Sequence, residues 1–182
     1  EYVWVLDPVD GTKAFLSGVP VFGTLIALMH GGKPILGIID QPVTRERWVG
    51  VAGRPTELNG APVCVAARGD LGDAVLWSTS PHMFDEVEAE RAGFARLRES
   101  VKFVHYGGEC YQYAMLASGH IDLVVEGDMA PYDYCAHVPI IEGAGGVITD
   151  WQGKPLGLES GGKVVAAASP GLHLAARQIL AA

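Results

Sequence analysis

Cysteine is scarce in this chain of 182 residues: Cys64, Cys110 and Cys135 are an odd number, and no two show Cys-x-x-Cys spacing. That argues against a disulfide framework and against structural zinc, and it predicts reducing, cytoplasmic surroundings. Positive charge is sparse too. The chain has 13 Lys and Arg against 21 Asp and Glu, a formal charge of −8, which disfavours a nucleic-acid partner. No apolar run is long enough to span a bilayer, and the n-region and h-region of a signal peptide are missing. The six histidines show no His-x-x-x-His spacing and read as ordinary surface or core residues. No Ser, His and Asp group into a nucleophile arrangement, so a serine hydrolase is set aside. An initiator Met is also missing. Glu1 leads straight into a strand-like run, and the expected reason is a cut N-terminus or a fragment.

What is present is a globular, turn-rich composition, with 49% apolar residues and 24 Gly. The length suits one domain or two small lobes. Tyr2 to Leu6 reads as a buried strand. Residues 23–30, 34–40 and 47–52 continue as an antiparallel meander, and Asn59-Gly60 marks a tight turn. A short strand is expected over 63–66 and another over 74–79. The spacing of Val87, Phe94 and Leu97 predicts a helix over 84–100. Strands over 101–105 and 121–126, a helix over 109–118, and a helix over 134–144 kinked at Pro139 follow. Short strands over 147–149 and 164–168 and a last helix over 171–181 complete the pattern. Alternating helices and mixed strands predict a layered α/β (α+β) sandwich. Residues 1–69 would form an incomplete antiparallel lobe with the metal-binding loop, and residues 70–182 a C-terminal α/β lobe completing the site. Trp4 and Trp48 read as core residues, Cys110 and Cys135 as small buried thiols.

Two short stretches carry chemistry. In Asp7-Pro8-Val9-Asp10-Gly11-Thr12, two carboxylates three apart end an apolar run and meet a Gly turn. They are hard oxygen donors of the kind Mg²⁺ prefers, and the Val9 carbonyl can add another. The amides after Gly11 can face a phosphate oxygen. Alone, such a turn is usually just solvated. In Pro131-Tyr132-Asp133-Tyr134-Cys135-Ala136, Asp133 is either a helix cap, worth about 1 kcal/mol, or a third metal carboxylate brought across the fold.

Together these stretches resemble the inositol monophosphatase family of Mg²⁺-dependent phosphatases. The first motif runs on through Lys13-Ala14-Phe15, and the second includes Ala136, Glu142, Gly145 and Gly146. The closest look within the family is to histidinol-phosphate phosphatases, carried by Phe22 to Ala27, Gly37 to Pro42, Glu46 to Gly50, Thr79 to Phe84 and Gly107 to Tyr111. The resemblance implies that Asp7, Asp10, Asp133 and the Val9 carbonyl ligate Mg²⁺, and that Gly11 and Thr12 offer amides to the phosphate. Asp10 and Thr12 would be the catalytic pair, the Thr12 hydroxyl orienting the attacking water. Gly107, Gly108, Glu109 and Glu126 would line the substrate pocket. It also implies an upstream segment with a Gly-Glu-Glu type motif, a further metal ligand and a homodimer.

The expected activity is hydrolysis of a small phosphate monoester, histidinol phosphate first, in histidine biosynthesis. Glu109 and Glu126 suit its amine; the alternative for Glu109 is pairing with a helix dipole. Inositol-1-phosphate, 3′-phosphoadenosine 5′-phosphate and fructose-1,6-bisphosphate are the alternative substrates. An inactive truncated paralogue serving as a binding module is the alternative from another class.

Overall fold

The computed structural model describes residues 1–67 and 69–182. Two sheets and two layers of helix alternate. The first sheet is an antiparallel meander, β1 (Tyr2–Asp10), β2 (Gly23–His30), β3 (Lys33–Gln41), β4 (Glu46–Val51), β5 (Glu57–Leu58) and β6 (Ala61–Pro62), each strand beside the next. A short helix α1 (Thr12–Ser17) fills the link between β1 and β2. The second sheet is mixed, in the order β10 (Val147–Asp150), β11 (Val164–Ala167), β9 (Leu123–Glu126), β7 (Val75–Ser78), β8 (Phe103–Tyr106). Its strands β7, β8 and β9 are mutually parallel, while β11 runs antiparallel to both β9 and β10.

Helices α3 (Glu109–Ala117), α4 (Pro131–Tyr134) and α5 (His137–Gly143) lie between the sheets, α3 touching both β3 and β9. On the far side of the second sheet, α6 (Pro170–Ala181) packs on β11 and against α2 (Glu88–Ser100). One continuous core spans the layers, from Leu25, Ile39 and Trp48 of the first sheet through Tyr113 and Ile140 to Val124 and Val165 of the second. This is the layered α/β architecture that the alternation of elements predicts.

The helix layer sits unusually close to the first sheet. Gly37 and Gly50 are cross-strand partners on β3 and β4. A Cβ on Gly37 would stand 1.9 Å from the Ala136 carbonyl oxygen, and one on Gly50 would stand 2.5 Å from Pro139 and Ile140 backbone atoms. The glycine pair is a notch that seats the start of α5.

Four expectations need correction. β1 is an edge strand, and Tyr2, Trp4 and Leu6 are exposed (65%, 60% and 57%) on the outer face of the first sheet rather than buried. Apolarity says that a residue favours cover; it does not say that cover is supplied. Trp4 is therefore not a core residue, whereas Trp48 is fully buried with its indole N–H donating to Ser118 Oγ at 2.9 Å. Residues 63–66 form no strand. The helix expected over 134–144 is two helices: the chain breaks before His137, and Pro139 falls in the first turn of α5, where an N–H would have no intrahelical partner anyway.

Candidate active site

Side chains alternate along a strand, so residues three apart normally face opposite sides of a sheet. Asp7 and Asp10 escape that rule. Asp7 pairs with Leu25 and Asp10 with Gly23, so Pro8 and Val9 together oppose Thr24 alone. This β-bulge absorbs one residue and returns both carboxylates to the inner face. Pro8 has no N–H to donate, and a bulge is where a strand tolerates that. The bulge is held by the Val9 N–H donating to Asp7 Oδ1 at 3.0 Å and by Thr24 Oγ1 donating to the Pro8 carbonyl at 2.9 Å. Gly11 then turns at φ 78, in the left-handed region, and α1 starts.

Asp133 arrives from the other layer. It sits at the third position of α4, which lies against β1 and β2, and its Oδ2 accepts the Ala130 N–H at 2.7 Å. That is half of a capping box, because Ala130 has no side-chain acceptor to return the bond. The capping role and a role in the acidic cluster are therefore compatible. One carboxylate oxygen each from Asp7, Asp10 and Asp133 lie within 4.8 Å of one another.

The electrostatics follow from this crowding. Asp10 accepts the Cys110 N–H at 2.7 Å, which ties β1 to the first turn of α3. Burial pushes its carboxyl up to about 6; the Cys110 bonds oppose the shift, and the charges of Asp7 and Glu109 add to it. Asp133 is also raised, by burial first and by Asp7 and Asp128 as well. Three partly buried acids with no cation among them favour one. Hard oxygen donors at this spacing fit a divalent ion, and the Val9 carbonyl, which accepts the Thr12 hydroxyl at 3.3 Å, lies in the same bulge.

Beside the aspartates is a cavity of about 150 Å³. Asp10, Asp133, Glu109 and Glu126 all line it, with Gln112 and His137 among its other walls. Glu126 ends β9, only 3% exposed, and its Oε1 accepts the Thr79 N–H at 2.5 Å. Burial raises its carboxyl to about 7, against the pull of the Thr79 and Gln112 bonds. Glu109 opens α3 at φ 49, with Gly107 at φ 81 before it. Gly107 and Gly108 shape that turn without lining the cavity, and Gly11 and Thr12 stand at the β1–α1 joint.

Sequence reasoning missed Thr79, Gln112, Asp128 and His137. Neither acidic motif carries them: Thr79 follows the end of β7, Gln112 is on α3, His137 starts α5, and Asp128 lies in the loop between β9 and α4. A larger cavity of about 520 Å³ lies between α2 and α6, but its cations are already engaged, Lys163 with Glu90 and Arg177 with the carbonyls of Trp151 and Gln152.

An acid cluster built from a bulged edge strand and a short interlayer helix, facing a small acidic cavity, is a candidate divalent-metal site in a layered α/β fold. The sequence profile of the inositol monophosphatase family matches residues 1–181, and the chain belongs to that family. It is 57% identical over 166 residues to the bifunctional phosphatase IMPL2, chloroplastic, of Arabidopsis thaliana, spanning 91% of this chain and 47% of that protein. It is 33% identical to a histidinol-phosphatase of Chlorobaculum parvum, spanning 95% of this chain and 66% of that protein. Among solved structures, an inositol monophosphatase from Zymomonas mobilis superposes with a TM-score of 0.95 at 45% identity, covering 98% of this chain and 70% of that one. The chain thus spans about half to two thirds of the length of these curated relatives.

The cytoplasmic expectation does not stand, because the relative at 57% identity is a chloroplast protein by name. Cysteine usage distinguishes reducing from oxidising surroundings; it does not distinguish one reducing compartment from another. No helix among the described residues is long and apolar enough to cross a membrane.

Proposed function

We propose that this chain carries the metal-binding half of a Mg²⁺-dependent phosphomonoesterase whose substrate is histidinol phosphate. The observation that carries the proposal is the convergence of Asp7, Asp10 and Asp133 within 4.8 Å from two different layers. The names of the relatives support the substrate: histidinol-phosphatases of Chlorobaculum parvum and Streptomyces coelicolor are 33% and 35% identical to this chain.

A divalent cation bound by these acids offsets the charge of a phosphate dianion and lowers the pKa of water. The remaining tasks fall to the chain. Asp7, Asp10, Asp133 and the Val9 carbonyl hold the ion. The Gly11 and Thr12 amides face the phosphate at the start of α1, and the Thr12 hydroxyl, set beside the Val9 carbonyl, orients the attacking water. Asp10, partly buried, has one carboxylate oxygen fixed by the Cys110 N–H, and its cluster with Asp7 and Asp133 is held in place by that bond. Glu109 and Glu126 meet the alcohol portion of the ester in the adjoining cavity, whose turn Gly107 and Gly108 shape. Residues 1–69 and 70–182 act as two lobes, the first supplying Asp7 and Asp10 and the second Asp133, Glu109 and Glu126; the assembly is a homodimer.

The test is phosphate release by the intact protein with Mg²⁺, comparing histidinol phosphate with inositol-1-phosphate. Histidinol phosphate is expected to be the better substrate, and Asp10→Asn to lower turnover by roughly a hundredfold or more. Faster hydrolysis of inositol-1-phosphate overturns the substrate, and unchanged turnover in Asp10→Asn overturns the metal site.

A further inference from the structure

Two features of the cavity beside the aspartates have no part in ion binding or in attack on phosphorus. One is Asp128, exposed on the cavity wall and held at φ 55. Its carboxylate makes no hydrogen bond and no ion pair with any described residue. The other lies deeper. Gln112 and His137 are both 0% exposed and line the same cavity, yet Gln112 Oε1 and both ring nitrogens of His137 have no hydrogen-bond partner among the described residues. Buried polar atoms are nearly always paired, and those left open beside a cavity call for a polar occupant.

The character of that occupant follows from the wall. Among the described residues no Lys or Arg lines the cavity, while Asp128, Glu109 and Glu126 do. Burial keeps His137 neutral, with its ring stacked on Tyr113 at 3.9 Å. Lys13 acts on the charge of Glu109, and among the described residues none forms an ion pair with Asp128. A further divalent ion wants several oxygens packed around one point, and the three-acid group found is Asp7, Asp10 and Asp133, without Asp128. An ammonium group asks for less. It has three N–H donors that can be shared between a carboxylate and neutral acceptors such as an amide carbonyl.

We propose that the cavity selects phosphate esters whose alcohol portion carries a primary ammonium group, with Asp128 reading its charge and the Gln112 carbonyl accepting one of its N–H bonds. This rests on the phosphatase reading and adds to it the residues that discriminate between substrates. A site built to accept an N–H discriminates strongly against the analogue that lacks it, because its acceptors are then left unpaired. A polyol phosphate offers hydroxyls to this wall but no charge for Asp128.

The experiment uses two esters, histidinol phosphate and its counterpart with hydrogen in place of the amine, and two variants, Asp128→Asn and Asp128→Gly. Both replacements tolerate positive φ, so the loop keeps its shape. The unaltered protein should prefer the amine by about tenfold or more in kcat/KM, and each variant should lose most of that preference through a higher KM for the amine alone. Any change in Mg²⁺ half-saturation, through the charge that Asp128 exerts on Asp133, should be the same with both esters. Equal falls for both esters, or a shifted Mg²⁺ dependence with the preference intact, overturn the proposal. Calorimetric titration with histidinol itself provides an arm independent of turnover: weaker binding in both variants supports the role of Asp128, and unchanged binding overturns it. If neither ester is hydrolysed, the phosphatase reading fails, while the titration still decides whether Asp128 reads the amine.

Discussion

Glu126 shows how much of this site lies in single residues and their surroundings. This acid ends an apolar strand and is nearly fully buried, and its carboxyl is raised from 4.5 to about 7 by that burial. A folded-state pKa above the unfolded one means that the folded chain holds the proton more firmly. The fold carries no penalty from Glu126 below pH 4.5; stability falls as pH rises from 4.5 to 7, and the cost is complete above that. The shift corresponds to roughly 3 kcal/mol as an upper figure. Glu126→Gln keeps an acceptor for the Thr79 N–H and removes the charge. In chelated protein this variant should therefore be more stable than the parent at pH 8, with the difference vanishing near pH 4. Denaturant unfolding at the two pH values measures it, and an equal gain at both would assign the effect to packing instead of ionisation.

At the scale of elements, the site depends on how closely the helix layer approaches the first sheet. Gly37 and Gly50 allow α5 to rest on β3 and β4, and the segment from α4 into α5 carries Asp133 toward β1. Gly37→Ala places a Cβ where the Ala136 carbonyl stands, so α5 must move away. Thermal or denaturant unfolding should show a loss of about 1–3 kcal/mol or more, and Mg²⁺ affinity should drop with it; a variant with full stability and affinity would mean that the notch is not what seats α5. The sequence made the meander, the Asn59-Gly60 turn and most helices legible, because periodicity and turn residues report local preferences. It also made the three aspartates legible, through the motifs that hold them. It did not disclose the bulge at Pro8 and Val9, since a bulge is defined by the pairing strand, and the register against Leu25 and Gly23 cannot be read from β1 alone. The break between α4 and α5, the short helix α1 and the irregular segment 63–66 escaped for a related reason: each is decided by what packs beside it. Gln112 and His137 were illegible as site residues because helical periodicity marks a face as buried without saying whether it borders core or cavity.

On the scale of the whole molecule, two sheets and two helix layers share one core, and the acidic cluster is a place where the first sheet and the interlayer helices meet. The outer face of that sheet is apolar and open at Tyr2, Trp4 and Leu6, so β1 has less packing to hold it than any central strand. An ion bound by Asp7 and Asp10 of β1 and Asp133 of α4 would join this edge to the layer behind it. Without the ion, the same three carboxylates repel one another across that junction, and burial adds to the cost for Asp10. Cation binding and global stability are thus linked: an ion at a hundredfold excess over its Kd stabilises by about 2.7 kcal/mol, which for a chain of this size raises Tm by roughly 5–10 °C. Scanning calorimetry with saturating Mg²⁺ and with chelator should show that increment. Asp133→Asn should abolish the increment while leaving the chelated protein at least as stable as the parent, because Asn still accepts the Ala130 N–H and one of three repelling charges is gone. A Tm indifferent to Mg²⁺, or an increment that survives in Asp133→Asn, would detach the cluster from metal binding and leave Asp133 with its capping role alone.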